Sequence, residues 1–291
     1  MPPRRTASPA ARAPIEGTTR LVGILGDPVD HSLSPRMHNA AYAALGLDYA
    51  YVPFRATRAT VKDAVRAMRT LGLVGFNVTV PFKQDVVRLV DRLDPAAQAI
   101  GAVNTIWRDG DDIVGSNTDG IGFVEALRSH RAKVRGARAL VVGAGGSARA
   151  VLHALETGGA ADVVLANRTK SKAAKLAREF GASAGGLDAL ANAGLLATRT
   201  LVVNCTPVGL KGGDRLAYDP SATPKGCTHF DLAYAKGLTP FLELASGAGR
   251  PVVDGRHMLV HQGAAAFRLF TGRKAPVDVM ATAVGIVPRR R

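Results

Sequence analysis

The chain of 291 residues contains only two cysteines, one tryptophan and 5% aromatic residues. Cys205 and Cys227 provide neither a disulfide framework nor metal-ligand spacing, which favours free thiols in a reducing, cytoplasmic compartment. The longest runs without a charged residue, 70–82 and 95–107, have 13 residues each. Because a membrane-spanning helix needs about 18–20 apolar residues, these runs exclude a membrane span. The hydrophobic fraction of 47% indicates a folded globular protein.

The first 19 residues are rich in proline, alanine and arginine, and they lack the apolar stretch of a secretory signal. We expect residues 1–19 to form a disordered tail. The net charge is +15, of which residues 1–20 carry +3 and residues 289–291 another +3. The remaining +9 is spread along the chain, without the basic stripe and stacking aromatics typical of nucleic-acid-binding proteins. The positive charge is therefore expected to favour small anionic ligands, not nucleic acid.

Strand-like and helix-like segments alternate from residue 20 onward, which predicts an α/β protein with a mostly parallel sheet. The length of 291 residues suggests two domains. A helix over residues 119–130 is a candidate hinge between them. The expected strands are 21–25, 75–80, 103–107, 113–117, 139–142, 163–166, 200–204 and 229–232. The expected helices are 60–71, 119–130, one ending near 156, 170–180, 240–246, 257–270 and 278–287.

A glycine-rich turn follows the expected strand 139–142. Gly143, Gly145 and Ala148 form the pattern G-x-G-x-x-A of dinucleotide-binding turns. Its first position makes the tight turn, its second lets the backbone approach a pyrophosphate, and its third packs the helix on the strand. The following helix offers N–H groups and the positive end of its dipole to phosphates. This context predicts a dinucleotide site.

The residues after the next strand predict which dinucleotide binds. An NAD site presents Asp or Glu to the ribose 2′-hydroxyl, whereas an NADP site presents Arg to the 2′-phosphate. Asp162 lies about 20 residues after Gly143, but it precedes the strand and so lies at the wrong end. Arg168 follows the strand, with Thr169 and Lys172 nearby, and its planar guanidinium suits a phosphate. NADP is therefore favoured over NAD.

Three polar regions interrupt the first half of the chain close to the ends of expected strands, where open α/β sheets bind ligands. Their hydroxyl, amide, ammonium and carboxylate groups suit a small polyhydroxylated acid. No cluster has metal-ligand spacing, and we expect no metal. Ser34 is also a candidate N-cap, because Pro35 follows it. The side chains in these regions are Ser32, Ser34, Asn77, Thr79, Lys83, Asn104 and Asp119.

From about residue 21 to residue 287 the chain resembles the shikimate dehydrogenase family. The strings that carry the resemblance are HSLSPRMHN, FNVTVPFK, GAVNT, GSNTDGIGF, GAGGSARA, NRT, NCTPVGL, DLAY and GRHMLVHQGAAAF. The resemblance implies reversible, NADPH-dependent reduction of 3-dehydroshikimate to shikimate, a step toward aromatic amino acids. It also implies a substrate domain formed by residues 20–118 and 257–291, a Rossmann-type NADP domain at 119–256, and an active-site cleft between them.

The resemblance implies roles for individual residues as well. Lys83 and Asp119 would be the catalytic pair. The substrate carboxylate would be held by Ser32 and Ser34, and the ring hydroxyls by Asn77, Thr79, Asn104, Asp119 and Gln262, with help from Tyr234. The cofactor would be held by Gly143, Ala144, Gly145, Gly146, Ser147, Ala148, Asn167, Arg168, Thr169 and Lys172, with Leu232 and Gly255 near the nicotinamide.

Two positions depart from the common family pattern. Lys172 stands where many relatives have arginine, and Leu210 stands where methionine is common. Two alternatives stay open: a quinate/shikimate dehydrogenase with relaxed substrate or NAD use, and a non-catalytic dinucleotide-binding regulatory protein. Retention of both Lys83 and Asp119 argues against the second. The sequence does not define the oligomeric state, and a homodimer is one alternative.

The preference for NADP can be tested at Arg168. A hydrogen bond to a charged group contributes about 1.5–3 kcal/mol, or roughly 10- to 150-fold in affinity. We expect Arg168→Ala to weaken NADPH binding by that factor and to leave NADH binding nearly unchanged, as measured by titration of both cofactors. Equal weakening of both would contradict the assignment of Arg168 to the 2′-phosphate.

Overall fold

A computed structural model describes residues 14–209 and 215–287. Residues 1–13 of the expected tail, Leu210 and the arginines 289–291 lie outside the described residues. At the end of the expected tail, the hydroxyls of Thr18 and Thr19 donate to the Asp48 carboxylate at 2.6 and 2.5 Å. Over the described ranges, every helix is too short or too polar to cross a membrane.

The first half of the chain builds a six-stranded sheet. Its order is β2-β1-β3-β5-β6-β4, in which β1 is parallel to β2 and β3, whereas β5 is antiparallel to β3 and β6. A hairpin turn joins β5 to β6, with Gly110 at φ 63°. The strands are β1 (Arg20–Gly26), β2 (Tyr49–Arg55), β3 (Gly75–Val78), β4 (Arg92–Leu93), β5 (Thr105–Asp109) and β6 (Asp112–Ser116). The helices are α1 (Ser34–Ala44), α2 (Val61–Thr70) and α3 (Pro95–Ile100).

The second sheet consists of six parallel strands in the order β12-β11-β10-β7-β8-β9. This is the doubly wound dinucleotide-binding order, and its direction reverses between β7 and β10, where such sheets bind ligands. The α/β prediction with a Rossmann-type sheet is confirmed. The strands are β7 (Arg138–Val142), β8 (Asp162–Ala166), β9 (Ser183–Gly185), β10 (Leu201–Asn204), β11 (Thr228–Asp231) and β12 (Val252–Asp254). The helices are α4 (Asp119–Ser129), α5 (Gly146–Thr157), α6 (Lys170–Glu179), α7 (Ala193–Leu196) and α8 (Pro240–Gly247).

The last two helices are α9 (Gly255–Thr271) and α10 (Val277–Ala283). Near the start of α9, Met258 lies in the core of the second sheet. Further along, Phe267 and Phe270 pack in the core formed with β1 and α1. A single helix therefore contributes to both hydrophobic cores.

The contact between α4 and α9 is close because Gly122 has no side chain. A Cβ at Gly122 would lie 2.7 Å from the Gln262 Cβ and 2.9 Å from the Met258 carbonyl oxygen. These atoms cannot rotate away, so a larger residue would force the helices apart. Gly120, on the same helix, has room for a Cβ, whose nearest neighbour would be the Ala150 oxygen at 3.5 Å.

We expect Gly122→Ala to lower the free energy of unfolding by about 1–3 kcal/mol, because overpacking outweighs the better helix propensity of alanine. The matched control, Gly120→Ala, should leave that free energy unchanged or raise it slightly. Urea unfolding followed by circular dichroism measures both. Equal stability of the two variants would show that the helices are not in the tight contact described.

Candidate functional site

The polar regions of the first half of the chain meet at one edge of the first sheet. β1 and β3 are parallel, so the loops that follow Gly26 and Val78 leave from the same edge. β5 runs the other way, and its first residue, Thr105, pairs with Asn77 near the end of β3. β6 reverses again, so that its last residue, Ser116, also pairs with Thr105. Loops from four strands therefore converge.

The centre of this edge is a buried ion pair. Lys83 Nζ donates to Asp119 Oδ2 at 2.6 Å, and the two side chains are 11% and 6% exposed. Asp119 is the first residue of α4, where the helix dipole favours a carboxylate. Its Oδ1 accepts from Asn104 Nδ2 at 2.8 Å, and Lys83 Nζ also donates to Ser147 Oγ at 3.2 Å. Both charges thus have the additional partners that a buried pair requires.

Asn104 is the hub of a buried hydrogen-bond network. Its Nδ2 donates to Thr118 Oγ1 at 2.9 Å and to Gln262 Oε1 at 3.3 Å. Its Oδ1 accepts from the Thr118 backbone N–H at 2.8 Å. Gln262 reaches this network from α9. The structure therefore brings together Lys83, Asn104, Asp119 and Gln262, which lie far apart in the sequence.

Asn77 is bonded to Tyr51, a residue that the sequence analysis missed, and Ser34 lies close to the same tyrosine. The Tyr51 hydroxyl donates to Asn77 Oδ1 at 2.8 Å, and Asn77 Nδ2 donates to Thr105 Oγ1 at 3.0 Å. Burial raises the pKa of Tyr51, and the nearby Ser34 hydroxyl opposes that rise. The Ser34 hydroxyl does not cap α1 as expected; the N-cap is Leu33, without a side-chain bond. Ser34 is buried close to Tyr51.

Ser32 and Tyr234 connect the two halves of the site. Burial raises the pKa of Tyr234, and the nearby Leu33 backbone and Ser32 hydroxyl oppose the rise. Ser32 Oγ also accepts from the Ser34 backbone N–H at 3.2 Å. Thr79 is half-buried at the same edge, where its backbone N–H donates to the Leu25 carbonyl at 2.9 Å. Ser32 and Thr79 therefore follow the neighbouring parallel strands β1 and β3 at the same edge of the sheet.

The glycine turn after β7 fits a pyrophosphate. Gly143 has φ 105°, and a Cβ there would lie 2.8 Å from the Thr206 side chain. Gly145 precedes α5, and no described atom lies within 4 Å of the position of its missing Cβ. Within the described residues no side chain caps α5, so its first N–H groups face this opening. Ala148 is fully buried in the helix–sheet core. The remaining members of the turn are Ala144, Gly146 and Ser147.

The end of β8 carries exposed cations. Arg168, Thr169 and Lys172 are exposed there, and Asn167 Nδ2 closes the turn by donating to the Thr169 carbonyl at 3.0 Å. Asp162 begins the same strand at its opposite end, where Arg199 contacts its carboxylate at 2.6 Å. Asp162 is thus remote from the carboxyl end of the sheet. The groups at that end suit the 2′-phosphate of NADP.

A further buried network lies where β10 and β11 end. Asp231 Oδ1 accepts from Asn204 Nδ2 and from the Ala233 N–H, both at 3.0 Å, and Oδ2 accepts from the Thr239 hydroxyl at 2.6 Å. These bonds fix the turn containing Leu232, whose carbonyl packs against Gly255 so closely that no Cβ would fit. The sequence analysis gave Asp231 no role, although it lies in the string DLAY. Across the described ranges, no group of three or more His, Cys, Asp or Glu residues could hold a metal ion.

Comparisons with known proteins match successive parts of the chain to domains of one family. Residues 24–106 match the shikimate dehydrogenase substrate binding domain, residues 125–207 match shikimate / quinate 5-dehydrogenase, and residues 255–284 match the shikimate 5′-dehydrogenase C-terminal domain. A shikimate dehydrogenase (NADP(+)) of Geobacter metallireducens is 43% identical over 274 residues, covering 91% of this chain and 96% of the relative.

Solved structures give the same result. Shikimate dehydrogenase from Aquifex aeolicus superposes with a TM-score of 0.87 at 37% identity, covering 93% of this chain and 99% of that one. The Thermus thermophilus shikimate 5-dehydrogenase in complex with NADP(H) and shikimate has a TM-score of 0.83 at 36% identity, covering 91% and 98%. The similarity therefore extends over both sheets and the helices between them.

The buried carboxyl of Asp231 predicts a pH dependence of stability. Burial raises its pKa to about 6, so the folded protein holds this proton more tightly than the unfolded chain does. The resulting stabilisation is fully present below about pH 4 and is lost as the pH rises through about 6, up to about 3 kcal/mol in total. Asp231→Asn cannot ionise and should lack this loss. Urea unfolding at several pH values measures the difference; a constant difference between wild type and variant would contradict the raised pKa.

Proposed function

This chain belongs to the shikimate dehydrogenase family, and on that premise we propose that it catalyses the reversible reduction of 3-dehydroshikimate to shikimate with NADPH, a step toward aromatic amino acids. The observation that carries the proposal is the buried Lys83–Asp119 pair, which is surrounded by amides and hydroxyls on one side and contacts Ser147 of the nucleotide-binding turn on the other. A proton donor thus lies beside a pyrophosphate cradle, as the reduction of a carbonyl by a dinucleotide requires.

The substrate is proposed to bind at the converging edge of the first sheet. Ser32 and Ser34 provide short hydroxyl donors for its carboxylate, and the Tyr234 hydroxyl lies next to Ser32. Ring hydroxyls both donate and accept hydrogen bonds, so amide side chains suit them. We assign this role to Asn77, Thr79, Asn104 and Gln262, together with Asp119.

Lys83 is proposed to deliver the proton. Hydride addition to a carbonyl carbon places negative charge on the oxygen, which a nearby ammonium stabilises and protonates. Of the three N–H bonds of Lys83, one is directed to Asp119 and one to Ser147 among the described residues. The third is left for the carbonyl oxygen. Asp119 orients the ammonium and is itself held by Asn104.

The residues proposed to bind the cofactor lie in segments that come directly after strands of the second sheet. NADPH supplies the hydride when it is bound. The turn formed by Gly143, Ala144, Gly145, Gly146, Ser147 and Ala148 would hold the pyrophosphate. Asn167, Arg168, Thr169 and Lys172 would hold the adenosine ribose and its 2′-phosphate, and Leu232 and Gly255 would lie near the nicotinamide.

We propose a cytoplasmic location for this enzyme and a small molecule as its partner. Both cysteines are free, which suits the reducing conditions of the cytoplasm. The partner is a small molecule and not nucleic acid, and a homodimer is one alternative for the assembly. Quinate carries one more hydroxyl beside the carboxylate, so its use would depend on the space near Ser32 and Ser34.

The first experiment is a cofactor assay that crosses shikimate and quinate with NADP⁺ and NAD⁺, followed by the absorbance of the reduced cofactor. We expect turnover of shikimate with NADP⁺, and a kcat/KM roughly 10- to 150-fold lower with NAD⁺, because the contact with the 2′-phosphate is lost. Comparable turnover of quinate would indicate the broader shikimate/quinate activity. No turnover with any pair would contradict the proposed function.

A further inference from the structure

Ser147 joins the nucleotide-binding turn to Lys83. Its Oγ accepts a hydrogen bond from Lys83 Nζ at 3.2 Å. The neighbouring Gly146 packs along the stem of the same lysine, where an added Cβ would lie 3.1 Å from the Lys83 Cβ and 3.4 Å from its Cδ. Lys83 follows β3 of the first sheet, whereas Ser147 is the second residue of α5 on the second sheet. The two sheets thus meet at this lysine.

A second contact fixes the start of α5 at this place. Arg149 Nε donates to the Ile100 carbonyl at 2.5 Å, and Arg149 also pairs with Glu179 at 2.6 Å. Ile100 ends α3, and three residues later the Val103 N–H donates to the Lys83 carbonyl at 2.7 Å. The backbone of Lys83 and the start of α5 are therefore tied to the same short segment. The distance between Ser147 and Lys83 is thus set by contacts independent of their own hydrogen bond.

We propose that Ser147 is a positioning residue for Lys83, an inference that rests on the catalytic role proposed above for that lysine. If Asp119 were its only acceptor, the Lys83 ammonium, which lies at the end of a flexible side chain, could rotate about that one hydrogen bond. A second acceptor, Ser147 Oγ, fixes the rotation of the ammonium and with it the direction of the third N–H, which is left for the substrate carbonyl. Because Ser147 belongs to the nucleotide-binding turn, it also aligns the proton donor with the side from which hydride arrives.

The test begins with Ser147→Ala, which keeps the backbone N–H of the turn and removes only the hydroxyl. We expect kcat for shikimate oxidation to fall about 10-fold, the lower end of the effect of a hydrogen bond to a charged group. The KM for shikimate and the Kd for NADP⁺ should stay within about twofold, because uniform binding is retained. Ser147→Thr keeps a hydroxyl and should restore most of kcat.

Ser171→Ala is the matched control, because Ser171 is the second residue of α6 just as Ser147 is of α5, and its side chain is exposed. Its kcat should equal that of wild type. A loss of NADP⁺ affinity in Ser147→Ala as large as the loss of kcat would assign the serine to the cofactor and overturn the proposal. Failure of Ser147→Thr to recover any activity would overturn it as well.

A double-mutant cycle with Lys83→Ala shows whether Ser147 acts through the lysine. Lys83→Ala should lower kcat roughly 10²- to 10⁴-fold with a much smaller change in KM, as expected for the loss of the group that donates the proton in the reduction and accepts it in shikimate oxidation. In that background Ser147→Ala should cause no further loss. A full additional 10-fold loss would mean that Ser147 acts independently, contrary to the proposal.

The outcomes separate this inference from the proposed function. If Lys83→Ala keeps wild-type kcat, the catalytic role of Lys83 is wrong, and the role of Ser147 is wrong with it. If Lys83→Ala loses kcat and Ser147→Ala does not, the proposed function stands and only the inference about Ser147 is wrong. Where Lys83→Ala is too slow to follow, the comparison of Ser147→Ala with Ser147→Thr decides.

Discussion

The buried ion pair between Lys83 and Asp119 determines which residues must surround it and how the two sheets must meet. An ammonium and a carboxylate withdrawn from water destabilise the fold unless their other hydrogen-bonding positions also have partners. Asn104 holds the second carboxylate oxygen and Ser147 accepts from a second N–H of the lysine. Because these partners come from both sheets, the fully bonded pair forms only where the sheets meet. The site is therefore a property of the contact between two units, and neither unit contains it alone.

The hairpin in the first sheet makes this arrangement possible. Asn104 immediately precedes β5. If β5 were parallel to β3, Asn104 would lie at the opposite end of the strands, roughly 15 Å from the edge that carries the site. The antiparallel turn places the start of β5 and the end of β6 side by side, as the pairing of Thr105 with Ser116 shows. Asn104 and Asp119 can then share a hydrogen bond. The second sheet needs no such reversal, because every parallel strand ends at its ligand-binding edge.

The sequence predicted features whose signals are local and left out those that depend on distant contacts. The turn at Gly143 was predicted from its glycine spacing, and the α/β fold from the alternation of strand-like and helix-like segments. The α/β fold and the family are confirmed. Strands such as β4, β9 and β12 have only two or three residues, too few for a periodic pattern. Tyr51 was missed because its bond to Asn77 depends on strand pairing. The contact of Ser147 with Lys83 links residues 64 positions apart, which no local pattern records.

The path of α9 through both cores has a consequence for how the chain folds as it is synthesised. The core around β1 and α1 includes Phe267 and Phe270, so its hydrophobic surface stays uncovered until Phe270 has left the ribosome. The second sheet, from β7 to β12, is continuous in sequence, and its core is complete earlier, once Met258 at the start of α9 has been made. Domains usually become folded in the order in which they are made. Here the part that is made first is the part that is completed last, and a chaperone would meet it in that exposed form.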